Sequence, residues 1–349
     1  MSAGDGPSGT APLIERDADL SRLNTFGVAA RAAGLARVRD LDALPTVLDA
    51  PEWRDRPLLV LGEGSNVLLT RDFDGLVLRI EAQRIQQSHW AGDDAVVRAE
   101  AGRGWHDFVR WSVDAGFGGL ENLSLIPGTV GAAPIQNIGA YGVELAACIE
   151  AVEVYDRATR GFDLLDRTAC AFGYRDSVFK REPARRIVTA VRFRFGSDWS
   201  PVLSYPGVRE ELAARGVVST PTPADVSDAV SAIRARKLPD PRVLGNAGSF
   251  FKNPLLPQAE ADALVARHPG MPRWDAGGGR SKISAGWLIE QAGLKGHREG
   301  DAGVSAQHAL VLVNHGRASG AQLLALARHV QGVVHARFGV HLEPEPLIL

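Results

Sequence analysis

The chain has little cysteine, methionine or lysine. Cys148 and Cys170 are its only cysteines. Two cysteines so far apart make neither a disulfide framework nor a metal-ligand spacing, so they read as reduced thiols in a cytoplasmic protein. No apolar run approaches the ~20 residues a bilayer span needs, which argues against a membrane protein. The start, Met1-Ser-Ala-Gly-Asp-Gly6, has an acidic residue and no apolar core, so no secretory signal is expected. An excess of one charge is also missing: the net charge is −2. That balance gives no long-range field to draw nucleic acid or an anionic membrane, so any anionic ligand must be held by local groups. The nine histidines are scattered; His329, His335 and His341 come nearest to a cluster, and their spacing fits no zinc pattern. Arginine outnumbers lysine thirty-four to five, which makes each lysine conspicuous.

What the chain does have is length and glycine. With 349 residues it can bury large cores, and two or three domains are expected. Thirty-eight glycines predict many tight turns or close backbone approaches. Residues 1–20 are rich in Gly, Ser, Pro and Asp and are expected to be disordered, with structure starting near Asn24-Thr-Phe-Gly27. Leu41–Asp49 reads as a short helix; Pro57–Leu61, Val67–Thr70, Gly75–Ile80 and Ala95–Ala101 read as strands. Gly104–Ala115 predicts a helix with Trp105, Phe108, Val109 and Ser112 on one face. Ile149–Asp156 and Ile187–Phe195 are further strands, the second alternating Val191, Phe193 and Phe195 against Arg192 and Arg194. Thr222, Pro223 and Asp225 start a helix that runs to Lys237 with Val226, Val230 and Ile233 inward. Gln258–His268 and Ala285–Ala292 are expected helices, and Met271–Arg280 a glycine-rich loop. Ser319–Phe338 is the clearest helix: Ser319 with Gln322 makes a capping box and Gly339 ends it.

Several loops carry side chains suited to chemistry. Gly245-Asn-Ala-Gly-Ser-Phe-Phe-Lys-Asn-Pro254 offers a hydroxyl, a cation and two amides, and reads either as a turn into a short strand or as a site loop centred on Ser249. Gly62-Glu-Gly-Ser-Asn66 can cradle a phosphate with successive N–H groups; alone it is equally a tight hairpin turn. It is not a dinucleotide fingerprint, because the third glycine is absent and a strand follows. The stretch Glu121–Gly142 is too apolar for a solvated linker and too broken for a helix, which suits a flat ligand packed against small residues or a buried crossover. In Phe172-Gly-Tyr-Arg-Asp-Ser177, Arg175 either pairs with Asp176 at the surface or clamps a carboxylate. Tyr205 looks exposed on a linker, and Lys237 suits a helix C-terminus.

Taken in order, Asn24-Thr-Phe-Gly, Gly62-Glu-Gly-Ser-Asn, Gly119-Leu-Glu-Asn, Ile126-Pro-Gly-Thr-Val-Gly, Gln136-Asn-Ile-Gly-Ala-Tyr-Gly, Phe172-Gly-Tyr-Arg-Asp-Ser, Gly245-Asn-Ala-Gly-Ser-Phe-Phe-Lys-Asn-Pro and Leu342-Glu-Pro-Glu resemble the UDP-N-acetylenolpyruvoylglucosamine reductases. Each motif is weak alone; eight in order over Asn24–Glu345 are specific. The resemblance implies an α+β protein with a two-part FAD-binding region of the vanillyl-alcohol-oxidase (PCMH) type and an α+β substrate-binding domain. The division it implies is 18–80 with 336–349, 81–215, and 216–335. It implies FAD held by Gly62, Gly64, Ser65, Asn66 and Val67 at the pyrophosphate, and by Gly128, Gly131, Ala132, Asn137 and Gly139 along the flavin. It implies UDP-N-acetylglucosamine-enolpyruvate as substrate, NADPH as co-substrate, and substrate contacts at Tyr205, Lys237, Asn253 and His308. Tyr205 falls in the loop of the type I branch. The expected state is a cytoplasmic monomer making a peptidoglycan precursor, with no nucleic-acid or membrane partner.

The implied reaction suits the residues. Hydride delivered through the flavin to the enolpyruvyl terminal carbon leaves charge on the adjacent carbon and its carboxylate. The resemblance gives Arg175 and Glu343 to that charge and Ser249 to the final proton. A same-fold oxidase would not need Ser249, and an inactive flavin-binding protein would have no use for Ser249 or Glu343.

Overall fold

The run Gly75-Leu-Val-Leu78 buries on both faces, as strands inside a parallel sheet do: Leu76, Val77 and Leu78 are all buried. It lies in the strand Phe73–Ile80, which pairs in parallel with Arg31–Val38 on one side and Leu58–Val60 on the other. The structure is a computed structural model and describes residues 14–91 and 93–349. Within that range the expected disorder up to residue 20 does not hold. Ile14–Asp19 is an antiparallel edge strand on Arg31–Val38, and the rest of that expectation, residues 1–13, lies outside the described residues. Its polar sequence, Ile-Glu-Arg-Asp-Ala-Asp, hides it, because an edge strand with one wet face needs few apolar side chains.

A second sheet is antiparallel throughout, in the order Gly161–Asp166, Ile149–Asp156, Arg186–Phe195, Asp94–Glu100 and Ile85–Ala91. Val191, Phe193 and Phe195 are buried, while Arg192 on the other face pairs with Glu153 at 2.8 Å. The helix Trp105–Asp114 covers the apolar face. Its Trp105, Phe108, Val109 and Ser112 are all buried, and Phe108 meets Phe193 with ring centroids 4.6 Å apart. Cutting Phe108 to alanine would cost about 3–5 kcal/mol, since the buried ring would leave a cavity among its packed neighbours. Cys148 and Cys170 are buried free thiols, pushed up to about 11 and about 12 by burial, so neither is a nucleophile near neutral pH.

The third unit has an antiparallel sheet ordered Gly245–Ser249, Val311–Asn314, Ala302–Val304, Arg298–Glu299. The expected loop 271–280 is instead part of a small sheet. Arg273–Asp275 pairs with Arg280–Ile283, and Gly277, Gly278 and Gly279, all with positive φ, make the turn between them. Both capping boxes form, at Thr222 with Asp225 and at Ser319 with Gln322. The helix Gly320–Phe338 buries Leu323, Ala327, Val330, Val334 and Phe338, and Gly339 ends it with φ 72°.

Two connections place the site. Leu347–Ile348 pairs in parallel with Val67–Leu68, so the C-terminal segment finishes on the first unit. One hydrophobic cluster also runs from Phe26, Leu68 and Val77 into Phe250, Leu312 and Val334, so the first and third units share a core. The Asn24–Gly27 turn is the joint. Thr25 O accepts from Asn246 N at 3.0 Å, Phe26 O accepts from Asn314 Nδ2 at 3.0 Å, and a Cβ on Gly245 would stand 2.4 Å from Phe26 O. That motif therefore fixes the strand carrying Ser249.

Candidate active site

Ser249 ends its strand at a bulge. The pairing with Val311–Asn314 is interrupted between Asn246 and Ser249, where Gly248 takes φ 66°. Glycine adopts that backbone at no steric cost. Asn246 locks the bend by accepting from Gly248 N at 2.9 Å and donating to Pro239 O and Leu244 O. Phe250 and Phe251 are both buried in the shared core, and Ser249 lines the cleft beside them. The C-terminal segment then runs antiparallel to this stretch: Lys252 N donates to Glu343 O at 3.0 Å and Glu345 N to Phe250 O at 2.8 Å.

Arg175 enters from the second unit on a tight turn in which Gly173 and Asp176 exchange backbone hydrogen bonds. Its own φ is 54°, a conformation a non-glycine residue holds only when its surroundings demand it. The alternative of a surface pair with Asp176 is not formed: Asp176 pairs with Arg181 at 2.6 Å. Arg175 Nη2 donates to Gly139 O at 2.9 Å, and Arg175 Nε stands 3.1 Å from Glu345 Oε1. That ion pair is close but off-axis, because the buried Nε–H makes no hydrogen bond among the described residues. The carboxylate that meets Arg175 is thus Glu345, not Glu343. The Glu345 side chain is 11% exposed; that of Glu343 is 74% exposed and pairs with Lys252 at 3.1 Å. The sequence expectation placed the wrong member of the Glu-Pro-Glu pair in the cleft.

Two small-residue loops form the rest of the wall. Gly64 has φ 67°, and a Cβ there would come within 2.1 Å of Leu23 O, so no other residue fits. Ser65 Oγ donates to Pro127 O at 3.1 Å, Gly128 N donates to Glu63 Oε2 at 2.8 Å, and Asn66 Nδ2 donates to Gln136 Oε1 at 2.8 Å. Gln136 Nε2 donates in turn to Glu345 Oε1 at 3.1 Å, which links the first loop to the carboxyl beside Arg175. Between the loops, Ser249 and Arg175 lies one cleft of about 570 Å³, within the ~300–1,000 Å³ range of small-molecule sites.

The cleft perturbs its charges. Burial pushes Glu345 above the ordinary glutamate range; Arg175, Lys180 and Lys252 pull it back only in part. Burial, with Lys252 nearby, holds Lys180 below the usual lysine value, and its Nζ donates to Arg175 O at 3.1 Å. Burial also raises Glu63, against the opposing hydrogen bond from Gly128.

Of the expected cofactor residues, Gly62, Gly64, Ser65, Asn66, Val67, Gly128, Ala132 and Gly139 line the cleft. Gly131 does not: it packs on Ala101, which a Cβ there would approach to 2.5 Å. Asn137 does not either; it is buried, φ 43°, with its amide spent on Glu144, Gly173 and Ala146. The four expected substrate contacts sit outside the cleft lining. Tyr205 is 42% exposed and packs edge-on against Tyr141, with centroids 4.8 Å apart. Asn253 Oδ1 accepts from Ala285 N at 3.0 Å and so caps the helix Ala285–Gln291. Burial lowers His308, and the Lys237 charge lowers it further. Sequence reasoning missed Glu345, Lys180 and Arg234 as cleft residues. The scarcity of lysine was a usable signal for Lys180.

The arrangement agrees with known proteins. A model of the C-terminal domain of UDP-N-acetylenolpyruvoylglucosamine reductase matches residues 240–349, and a FAD binding domain model matches residues 32–160. The UDP-N-acetylenolpyruvoylglucosamine reductase of Chromobacterium violaceum is 54% identical, over 95% of this chain and 98% of that one. That of an Azoarcus species is also 54% identical, over 96% and 98%. Among solved structures, UDP-N-acetylenolpyruvylglucosamine reductase from Thermus caldophilus superposes with a TM-score of 0.68 at 29% identity, covering 97% of this chain and 99% of that one.

Proposed function

The chain belongs to the UDP-N-acetylenolpyruvoylglucosamine reductase family, and from that membership we propose how its cleft divides the work. It is an FAD-dependent reductase of the enolpyruvyl group of UDP-N-acetylglucosamine-enolpyruvate, giving UDP-N-acetylmuramate. NADPH is the proposed reductant, and a cytoplasmic monomer the proposed form. Among the described residues no helix is long and apolar enough to cross a membrane.

The residues present fit a flavin dinucleotide. Gly62, Gly64 and Gly128 line the cleft with backbone alone, and a Cβ on Gly128 would stand 3.2 Å from Ser65 Oγ. Backbone N–H groups and Ser65 of the first loop suit a diphosphate, and the small, largely apolar second loop suits a flat ring system. Held there by these loops, FAD would supply the hydride chemistry that the enolpyruvyl group needs.

The chain's own residues handle charge and proton. As hydride arrives, negative charge gathers on the adjacent carbon and the carboxylate it bears. Arg175 offers that carboxylate a guanidinium fork whose buried Nε–H makes no hydrogen bond among the described residues. Glu345, which keeps its proton to higher pH than an ordinary glutamate, donates a hydrogen bond to the same charge. The Ser249 hydroxyl gives its proton to the carbanionic carbon; a neutral alcohol can do so because that carbon is a strong base. Lys180 and Lys252 add positive charge near the cleft. Tyr205, Lys237, Asn253 and His308 are proposed to meet the UDP portion, their positions outside the cleft lining being where the larger part of the substrate would extend.

The observation that carries this reading is the meeting of Ser249, Arg175 and Glu345, from three separate chain segments, in the cleft that the two glycine loops enclose. An anaerobic visible spectrum tests it. NADPH should bleach the flavin band, and UDP-N-acetylglucosamine-enolpyruvate should restore it. A flavin that bleaches and is not restored would show another acceptor.

A further inference from the structure

We propose that His297, Glu299 and His329 form a binding site for a divalent first-row transition-metal ion, away from the reductase cleft. His297 and Glu299 lie at the outer edge of the third-unit sheet, and His329 lies on the helix Gly320–Phe338. Ligand atoms of all three fall within 4.8 Å of one another. His297 Nε2 is 3.1 Å from Glu299 Oε1, and the two imidazoles stack with centroids 5.2 Å apart and planes 23° from parallel. None of the three lines the cleft.

The distances suit coordination. Two ligand atoms on a tetrahedral zinc ion with bonds of ~2.0–2.1 Å stand ~3.3 Å apart. His297 and Glu299 are already at that separation. His329, an exposed helix side chain, already has a ring nitrogen within 4.8 Å of both. Neighbouring cations are engaged elsewhere: Arg298 pairs with Asp301 at 2.9 Å and Lys295 with Glu290 at 3.0 Å. Glu299 is therefore left to the imidazoles.

The donor set names the class of ion. Two imidazoles and one carboxylate favour zinc, nickel or iron(II), with water in the open positions; magnesium and calcium want oxygen alone. An exposed His–Glu pair by itself is worth little. The second imidazole adds nothing to an ion pair and is what a metal requires. The backbone is held for it, since Arg298 pairs with Gly303 and Glu299 with Ala302, and Val304 N donates to His297 O at 2.8 Å. A bound ion would staple this edge hairpin to the helix and stabilise the fold in proportion to its occupancy.

The test uses untagged holoenzyme, first stripped with EDTA, titrated with ZnCl2 in a calorimeter. One Zn²⁺ per chain is expected, with a rise in melting temperature and a zinc X-ray absorption spectrum showing two imidazoles. Loss of an outer partner of a metal ligand costs ~10–100-fold in affinity, so loss of a ligand itself should cost at least ~10-fold. His329→Ala and Glu299→Gln should each weaken binding by that much while leaving metal-free turnover at the wild-type rate, which shows that both variants fold. The double variant His335→Ala/His341→Ala removes the other stacked histidine pair, at 3.9 Å, and should bind zinc as the wild type does. Wild-type protein that takes up no Zn²⁺, or His329→Ala that binds it unchanged, would overturn the proposal.

Discussion

Arg175 Nε stands 3.1 Å from Glu345 Oε1, while Glu343, two residues earlier, pairs with Lys252 at the surface. The two glutamates therefore predict opposite outcomes. Glu345→Ala should lower the rate of flavin reoxidation by substrate by about 10²–10³-fold, the usual loss when one preorganised donor to a developing charge is removed. Glu343→Gln should stay within about 2-fold, as expected for an exposed ion pair. Stopped-flow measurement of the two half-reactions separates them, and a large defect in Glu343→Gln with none in Glu345→Ala would reverse the assignment.

Ser249→Ala should leave flavin reduction by NADPH intact. The second half-reaction should slow by about 10²–10⁴-fold, the range of a positioned proton donor. Substrate reduction at the wild-type rate in this variant would remove Ser249 from the proton step. The Phe250 and Phe251 anchors are untouched by the change, so melting temperature should hold.

Gly64→Ala tests the first glycine loop. A left-handed backbone costs an L-residue about 1–2 kcal/mol. The new Cβ would also press against Leu23 O from 2.1 Å, so the loop must move. The purified variant should show a reduced ratio of flavin to protein absorbance and a lower melting temperature. Full flavin content at wild-type stability would mean that the loop tolerates the shift.

Burial raises the Glu345 carboxyl in the folded protein, so the native state holds this proton to higher pH than the unfolded chain does. The stability this gives is fully present below the unfolded glutamate value of ~4.3 and is lost as pH rises through the folded value. Relative to Glu345→Gln, which stays neutral, the wild type should lose melting temperature as pH climbs through that window. Thermal scans of both across a pH series measure it. A wild type that gains on the variant with rising pH would mean that the Arg175 charge outweighs burial.

Local structure was legible wherever a short pattern decides it. Trp105, Phe108, Val109 and Ser112 repeat at helical spacing and bury as one face. Thr222 with Asp225 and Ser319 with Gln322 cap their helices through contacts three residues long. The glycine loops and Ser249 were legible as motifs because their backbone geometry restricts residue type. The strand Ile14–Asp19 was not legible: its partner Arg31–Val38 supplies the hydrogen bonds, and its own side chains signal nothing. The Met271–Arg280 stretch misled for the opposite reason, since three glycines that mark a loop also make a hairpin turn.

The amino-acid sequence by itself determined the family, the two glycine loops and the identity of the serine and arginine in the cleft, because each rests on local backbone demands or on motifs in order. Only the tertiary structure decided which glutamate enters the cleft. In an extended chain Glu343 and Glu345 point to the same side and lie ~6.6 Å apart, so no alternating pattern can separate them. The choice is made by the register of the C-terminal segment on Phe250–Lys252 and by where Arg175, from a different unit, reaches it. The meeting of His329 with His297 and Glu299 was hidden in the same way: their spacing along the chain carries no signal, and the packing of a helix against a sheet edge brings them together.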